Sequence, residues 1–377
     1  MTSALERKPL VSKAVNVAWR EFNAELKSRG YKNGMDGGVL IWVIVIFTYL
    51  SYFAPFVLLL SGALTEVWHV LLAGVAQGCG WIMMAGVGHD ANHGGLTHHK
   101  KLNEVFKRTL DLIGLEFKNW GRHHDQHHLY ANVYSPRGVD SKQSDPDSST
   151  GEKFLAFSQF ATHLKTWFRP YQHLFANFLY IITFHYWFVY GEFQRTKRYF
   201  NPEKDGTLQH RMREVLIKKI LYGVFFIVLP VFSAAPFWAG FLQWFVCVGF
   251  AGFVLMPFLQ MAHINEYAEQ FQKRPDDMAR SEFQARVSVN IHWKLPVINW
   301  FMAVVFFSGL GRQGGHHDKQ ALNRVHLIRW TERLKQVLKP LGVPVYDYSF
   351  WHMFASNHRK MRSMGRIPSY AELVDEM

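Results

Sequence analysis

Between Lys32 and Lys100 the chain contains neither lysine nor arginine, and the same holds between Lys219 and Lys273. Each gap encloses two long apolar blocks, residues 39–62 and 67–88 in the first, 220–236 and 237–261 in the second. A helix of about 20 apolar residues spans the roughly 30 Å hydrocarbon core of a bilayer. Each pair therefore reads as a transmembrane helical hairpin, the first turning at Glu66 and the second breaking across 233–236. A water-soluble domain would need far more charge between such blocks, and charged residues make up only 19% of the chain.

The basic residues fix an orientation. They crowd before the first hairpin and in the segments after each one, while both hairpin tips lack them. By the positive-inside rule the N-terminal segment, the middle of the chain and the C-terminal region all lie in the cytoplasm. The formal net charge of +13 then gathers on one face, where it suits anionic lipid or an acidic protein donor. No nucleic-acid recognition motif accompanies it. Residues 1–20 are polar, with no apolar core of a signal peptide. Cys79 and Cys247 sit inside apolar blocks without a Cys-x-x-Cys pattern, which speaks against iron–sulfur ligation and a disulfide framework.

One further apolar block, 171–193, carries basic residues on both sides and includes His173 and His185. As a fifth span it would separate the histidine clusters across the membrane, so an interfacial or re-entrant helix is expected. Residues 295–311 read as a second membrane-surface segment, and 135–151, rich in Ser, Asp and Pro, as a loop.

Eight of the 20 histidines fall between His89 and His128. In His89-Asp-Ala-Asn-His93, spacing by four places both rings on one helical face. His124-Asp-Gln-His127-His128 shares a face in the same way, and Gln313-Gly-Gly-His316-His317 follows the second hairpin. His263 closes the fourth span, ahead of His123 and His292 as the further member of the set. Seven or eight imidazoles exceed what one four-coordinate zinc takes and suit two metals; spacing alone does not choose among iron, copper and zinc.

Three histidine boxes in this order, with Asn103 after the first, Asp145-Pro-Asp147 after the second, residues 167–173, and Gln284 and Asn290, resemble the membrane fatty acid desaturases. The resemblance covers about residues 39–317 and is nearest the front-end acyl desaturases, in which Gln opens the last box. It implies an all-α integral membrane protein: four spans in two hairpins, interfacial helices and a cytoplasmic histidine-rich di-iron cap. The whole chain, 1–377, is then one desaturase domain, with segments 1–38, 39–88, 89–219, 220–261 and 262–377. No His-Pro-Gly-Gly occurs, so the type without a fused cytochrome b5 domain is expected.

The same resemblance implies two irons held by His89, His93, His124, His127, His128, His263, His316 and His317. Asp90, Asp125, Asn290 and Gln313 stand behind them, as do Asp145 and Asp147, because metal-bound imidazoles need acceptors for their other N–H. No catalytic side chain separate from the metal centre is expected, Gln313 being the one candidate. The reaction implied is O2-dependent desaturation of a fatty acyl chain linked to lipid, coenzyme A or a carrier protein. No Gly-x-Gly-x-x-Gly follows a strand pattern, so electrons come from a separate ferredoxin or cytochrome b5. A hydroxylase or acetylenase on the same scaffold is the nearest rival. A metal transporter is the distant one, because these histidines lie beyond the span ends. The chain departs from the family pattern at Gly314-Gly315 and at Asp318-Lys319-Gln320. The glycines are expected to let backbone or substrate approach the irons.

Overall fold

The computed structural model describes residues 4–134, 143–148, 155–158 and 167–366; of the loop expected over 135–151, only 143–148 fall among them. The protein is mostly helical, as expected, save for one short parallel pairing of β1 (Asn290–His292) with β2 (Asp347–Ser349). Its chain divides into two compact units interleaved in sequence. One comprises Met1–Gly37, His124–Ala176 and Phe258–Met377, the other Gly38–His123 and Asn177–Pro257.

In the first unit, α1 (Ala4–Ser28) buries Val11, Val15, Ala18, Phe22 and Leu26. Those positions recur every three or four residues and form one stripe. The stripe packs on Leu327, Trp330, Leu334 and Leu338 of α11 (Arg324–Leu338), with Trp330 edge-on to Trp19 at 5.0 Å. The polar N-terminal segment is thus an amphipathic helix belonging to the folded core. The short α8 (Arg280–Arg286) precedes β1; between β1 and α11 run α9 (Pro296–Phe306) and the short α10 (Gln313–Asp318), and α12 (Phe350–Met364) follows β2.

The second unit contains most of the four helices that, among the described residues, are long and apolar enough to cross a membrane. These are α2 (Gly38–Leu60), α3 (Val67–Asn92), α6 (Leu208–Phe232) and α7 (Ala239–His263). With the family assignment given below, they make this a multi-pass membrane protein. Within lipid, helices associate through close packing rather than through hydrophobic expulsion. The small pair Gly74 and Gly78 on α3 provides that closeness: a Cβ at either would come within 2.8 Å of Val246 or Phe250 on α7. Beside them, Gln243 donates to Gln77 at 2.9 Å, so two buried amides join the same helices.

Helix α6 starts 12 residues before the expected boundary at Ile220. Lys218 and Lys219 do not end it, because both are matched: Lys218 contacts Asp111 and Glu116, and Lys219 donates to the Gly114 carbonyl. Residues 172–198 are helical too, as α5 (Gln172–Tyr186), a π-helical turn and a last short helix. His185 Nε2 lies 3.1 Å from the Phe245 carbonyl, well inside α7, so this segment packs along a span.

Candidate metal centre

Helix α4 (Phe117–Tyr130) carries the second histidine box. Its first turn is fixed by Glu116, which accepts from the Asn119 backbone N–H at 2.9 Å and pairs with the buried Arg211. His263 ends α7, and His316 and His317 lie on α10. Within the first unit these rings form two groups: His127 with His263 and His317, and His124 with His128 and His316. The rings of box two share a helical stretch as expected, yet they divide between the groups, as do the adjacent His316 and His317.

The first group is fixed ring by ring. His127 Nδ1 lies 3.0 Å from Asp145 and 3.3 Å from Asp147. His263 Nδ1 lies 3.0 Å from the Val287 carbonyl, which can only accept, so that nitrogen carries the proton. His317 Nδ1 lies 2.8 Å from Gln284 Oε1. The Gln284 amide nitrogen donates to the His128 carbonyl at 2.8 Å, which commits its oxygen to His317. All three rings therefore spend Nδ1 on outer acceptors and offer Nε2 as a ligand atom. The ligand atoms of the group lie within 4.8 Å of one another, and His263 Nε2 is buried without a hydrogen-bond partner. This is how metal-binding imidazoles are held, with the outer acceptor setting tautomer and orientation.

Electrostatics agree. Burial on its own would lower the His127 pKa, but Asp145 and Asp147 outweigh it and raise the ring to about 9. The pocket thus favours positive charge at this ring, which a bound cation also satisfies.

In the second group, His128 Nε2 lies 3.0 Å from His124 Nε2 and 3.1 Å from His316 Nε2. Ligand nitrogens each about 2.1 Å from one ion stand roughly 3.0–3.4 Å apart. Both donor sets are all imidazole, which fits metal, and the first has carboxylates, a backbone carbonyl and an amide behind it. In the other unit, His89 lies in the last turn of α3 and His93 is the cap that follows the helix, with ring centroids 4.9 Å apart. His89 Nδ1 lies 2.9 Å from Asp90.

The remaining expected residues are placed as follows. Asn290 accepts from the Gly314 N–H at 3.1 Å and donates to the Tyr346 carbonyl, so it holds the start of α10 and not a ring. Gln313 is buried, and its Oε1 has no hydrogen-bond partner. Asp125 is exposed on α4. The rivals to His263 have other occupations, His123 beside the Tyr199 hydroxyl at 3.2 Å and His292 against Asp347 at 2.7 Å.

Asn132 had no sequence signal. At φ 55° its amide donates to the His263, Glu269 and Val287 carbonyls, and its N–H donates to Asp145. One residue thereby ties the box-two loop to the end of α7. Asp145→Ala would release both His127 and this tie. Metal affinity is expected to fall about 10–100-fold, measured by competition with a chelator.

Comparison with known proteins decides the family, because residues 66–349 match the fatty acid desaturase family, about three quarters of the chain. The chain is a fatty acid desaturase. It is 24% identical to an sn-1 linoleoyl-lipid 6-desaturase of Arthrospira platensis, over 88% of this chain and 84% of that one. A protein of the same description from Synechocystis is 26% identical over 74% and 76%. An acyl-lipid (8-3)-desaturase B of Dictyostelium discoideum is 23% identical over 75% and 61%. Desaturases of this family are generally iron-dependent, and the two histidine groups suit that metal.

Proposed function

We propose that this desaturase uses two irons to introduce a double bond into a lipid-linked fatty acyl chain at the cytoplasmic membrane face. The observation that carries the reading is the shared habit of His127, His263 and His317: each commits Nδ1 outward, leaving Nε2 to serve as a ligand, in a group whose ligand atoms lie within 4.8 Å of one another. One iron belongs to that group. The other belongs to His124, His128 and His316, and the family resemblance implies His89 and His93 of the first box as further ligands. Bound iron would supply the O2-derived oxidant that removes hydrogen from an unactivated methylene, chemistry beyond side chains.

The chain's own part is positioning. Asp145, the Val287 carbonyl and Gln284 keep three rings in one tautomer and orientation. Gln313 Oε1, buried and without a hydrogen-bond partner, is available to accept from a water close to His316 and His317 in the chain. An external ferredoxin or cytochrome b5 brings the electrons, and the basic balance of the chain suits an acidic donor. The relatives named above act on acyl-lipids by their descriptions, which supports a lipid carrier, and they are desaturases, which favours loss of a second hydrogen over oxygen transfer. The whole chain works as one domain, with 171–193 re-entrant rather than spanning.

The deciding experiment is lipid analysis of cells expressing the chain, with double-bond positions mapped by mass spectrometry. New unsaturation that depends on the histidines supports the reading; products heavier by one oxygen overturn it in favour of hydroxylation. Topology is checked separately. Reporters at Thr65 and Ala235 are expected on the non-cytoplasmic side, and those before Met1 and at Thr207 in the cytoplasm. Disagreement between the last two would make 171–193 a true span.

A further inference from the structure

The parallel register of β1 and β2 pairs His292 with Ser349, so both strands leave the sheet in the same direction. Beyond β1 the chain passes Trp293 and enters α9; beyond β2 it enters α12 at Phe350. Trp293 and Phe350 stack at 5.6 Å, holding the two segments side by side although they are far apart in sequence. Both expose bulky apolar groups: Leu295, Val297 (80% exposed) and Trp300 on one, Trp351 (73%) and Phe354 on the other. An apolar patch of this kind on a folded unit marks a surface that meets something other than water.

Two observations choose the occupant. The patch is continuous with a membrane span, because Phe258 near the end of α7 stacks on Phe307 at 3.6 Å and on Trp293 at 5.9 Å. The character of α12 also changes along one stripe: Trp351, Phe354, His358 and Arg362 are spaced by three and four and share a face. The stripe thus runs from apolar to cationic. His173 lies beside its basic end, 4.9 Å from His358, and its pKa is lowered first by burial, then by the positive charge of His358, Arg362 and Arg366. Among the described residues, no carboxylate pairs with Arg362 or Arg366, whereas Arg359, off the stripe, is matched by Glu266. Apolar groups flanked by unmatched cations are the chemistry of a helix seated in an anionic leaflet.

We infer that the first turns of α12 join α9, the segment its sequence already suits to the membrane surface, in a leaflet contact separate from the four spans, and that the basic end of α12 meets anionic headgroups. This contact would anchor the unit bearing His127, His263 and His317 at the bilayer surface by its own side chains.

The test uses the full chain in vesicles of phosphatidylcholine and phosphatidylglycerol. Spin labels are placed by Val297→Cys, Trp351→Cys and, as a control at a charged exposed site, Asp276→Cys, with Cys79→Ala and Cys247→Ala removing the native thiols. The expected result is collision with O2 favoured over a water-soluble nickel chelate at 297 and 351, and the reverse at 276. Nickel access at 297 and 351 equal to that at 276 would overturn the inference. So would protection of both sites from either reagent, which would mean that protein covers the patch. Should the labelled variants fold poorly, the unmodified chain is treated with a bilayer-partitioned carbene reagent. Adducts are expected on peptides covering 295–301 and 350–354, and their absence there while α2 is labelled would also overturn it.

Discussion

Replacing His263 with alanine is expected to abolish desaturation and to reduce iron from about two to about one per chain, while the fold persists. The magnitude follows from ligand number. A structural metal site of about four ligands is worth roughly 10–16 kcal/mol, so one imidazole contributes about 3 kcal/mol, or about two orders of magnitude in affinity. The loss should be confined to one ion, because His263 belongs to the group with His127 and His317 and the other group keeps its ligands. His263 is also the member least able to do anything else, its Nδ1 being held by the Val287 carbonyl and its Nε2 buried without a partner. His326→Ala is the matched control: that ring contacts the Asp36 carbonyl at 2.7 Å and packs on Tyr31, so its loss should leave iron unchanged. Elemental analysis of both purified variants is the measurement. Two irons retained in His263→Ala would remove His263 from the ligand set, and one zinc without iron in the parent protein would end the di-iron reading.

What the sequence made legible depended on whether the deciding physics is local. Four spans were readable because hydrocarbon excludes charge over a whole segment. The start of α6 was not, since Lys218 and Lys219 look like a membrane boundary until Asp111, Glu116 and the Gly114 carbonyl are found beside them. Nor was α1, whose mixed charges hide a stripe that only α11 explains. The histidine boxes were readable because spacing by three or four is a property of one helix. Their division into two groups was not, because it is settled where α4 meets α7 and α10. Asn132 was invisible for a further reason: its mark is a positive φ, which the residue type permits but does not announce. The departure at Asp318 also has a structural reason. Its carboxylate accepts from Ser281 and from the Trp330 indole, which fastens the end of α10 to α11.

Gly315, the second glycine before the third box, has a packing role that its small size alone did not announce. A Cβ on Gly315 would overlap Thr331 Oγ1 on α11, with Thr331 fully buried. The absent side chain therefore sets how closely the helix bearing His316 and His317 approaches α11. Gly315→Ala is expected to cost about 1–3 kcal/mol by overpacking, seen as lower thermal stability and reduced iron content. Gly315→Glu, which also forces a carboxylate into this buried contact, should fail to load metal. The double variant Gly315→Ala with Thr331→Ala should recover both, because the nearest remaining atom is the residue-331 Cβ at 3.4 Å, an ordinary contact. Removing the Thr331 hydroxyl costs little in itself, since Oγ1 has no hydrogen-bond partner to lose. Rescue with an unchanged product profile would show that Gly315 acts through helix packing. A shift in double-bond position in Gly315→Ala at full iron occupancy would show instead that this position faces the acyl chain.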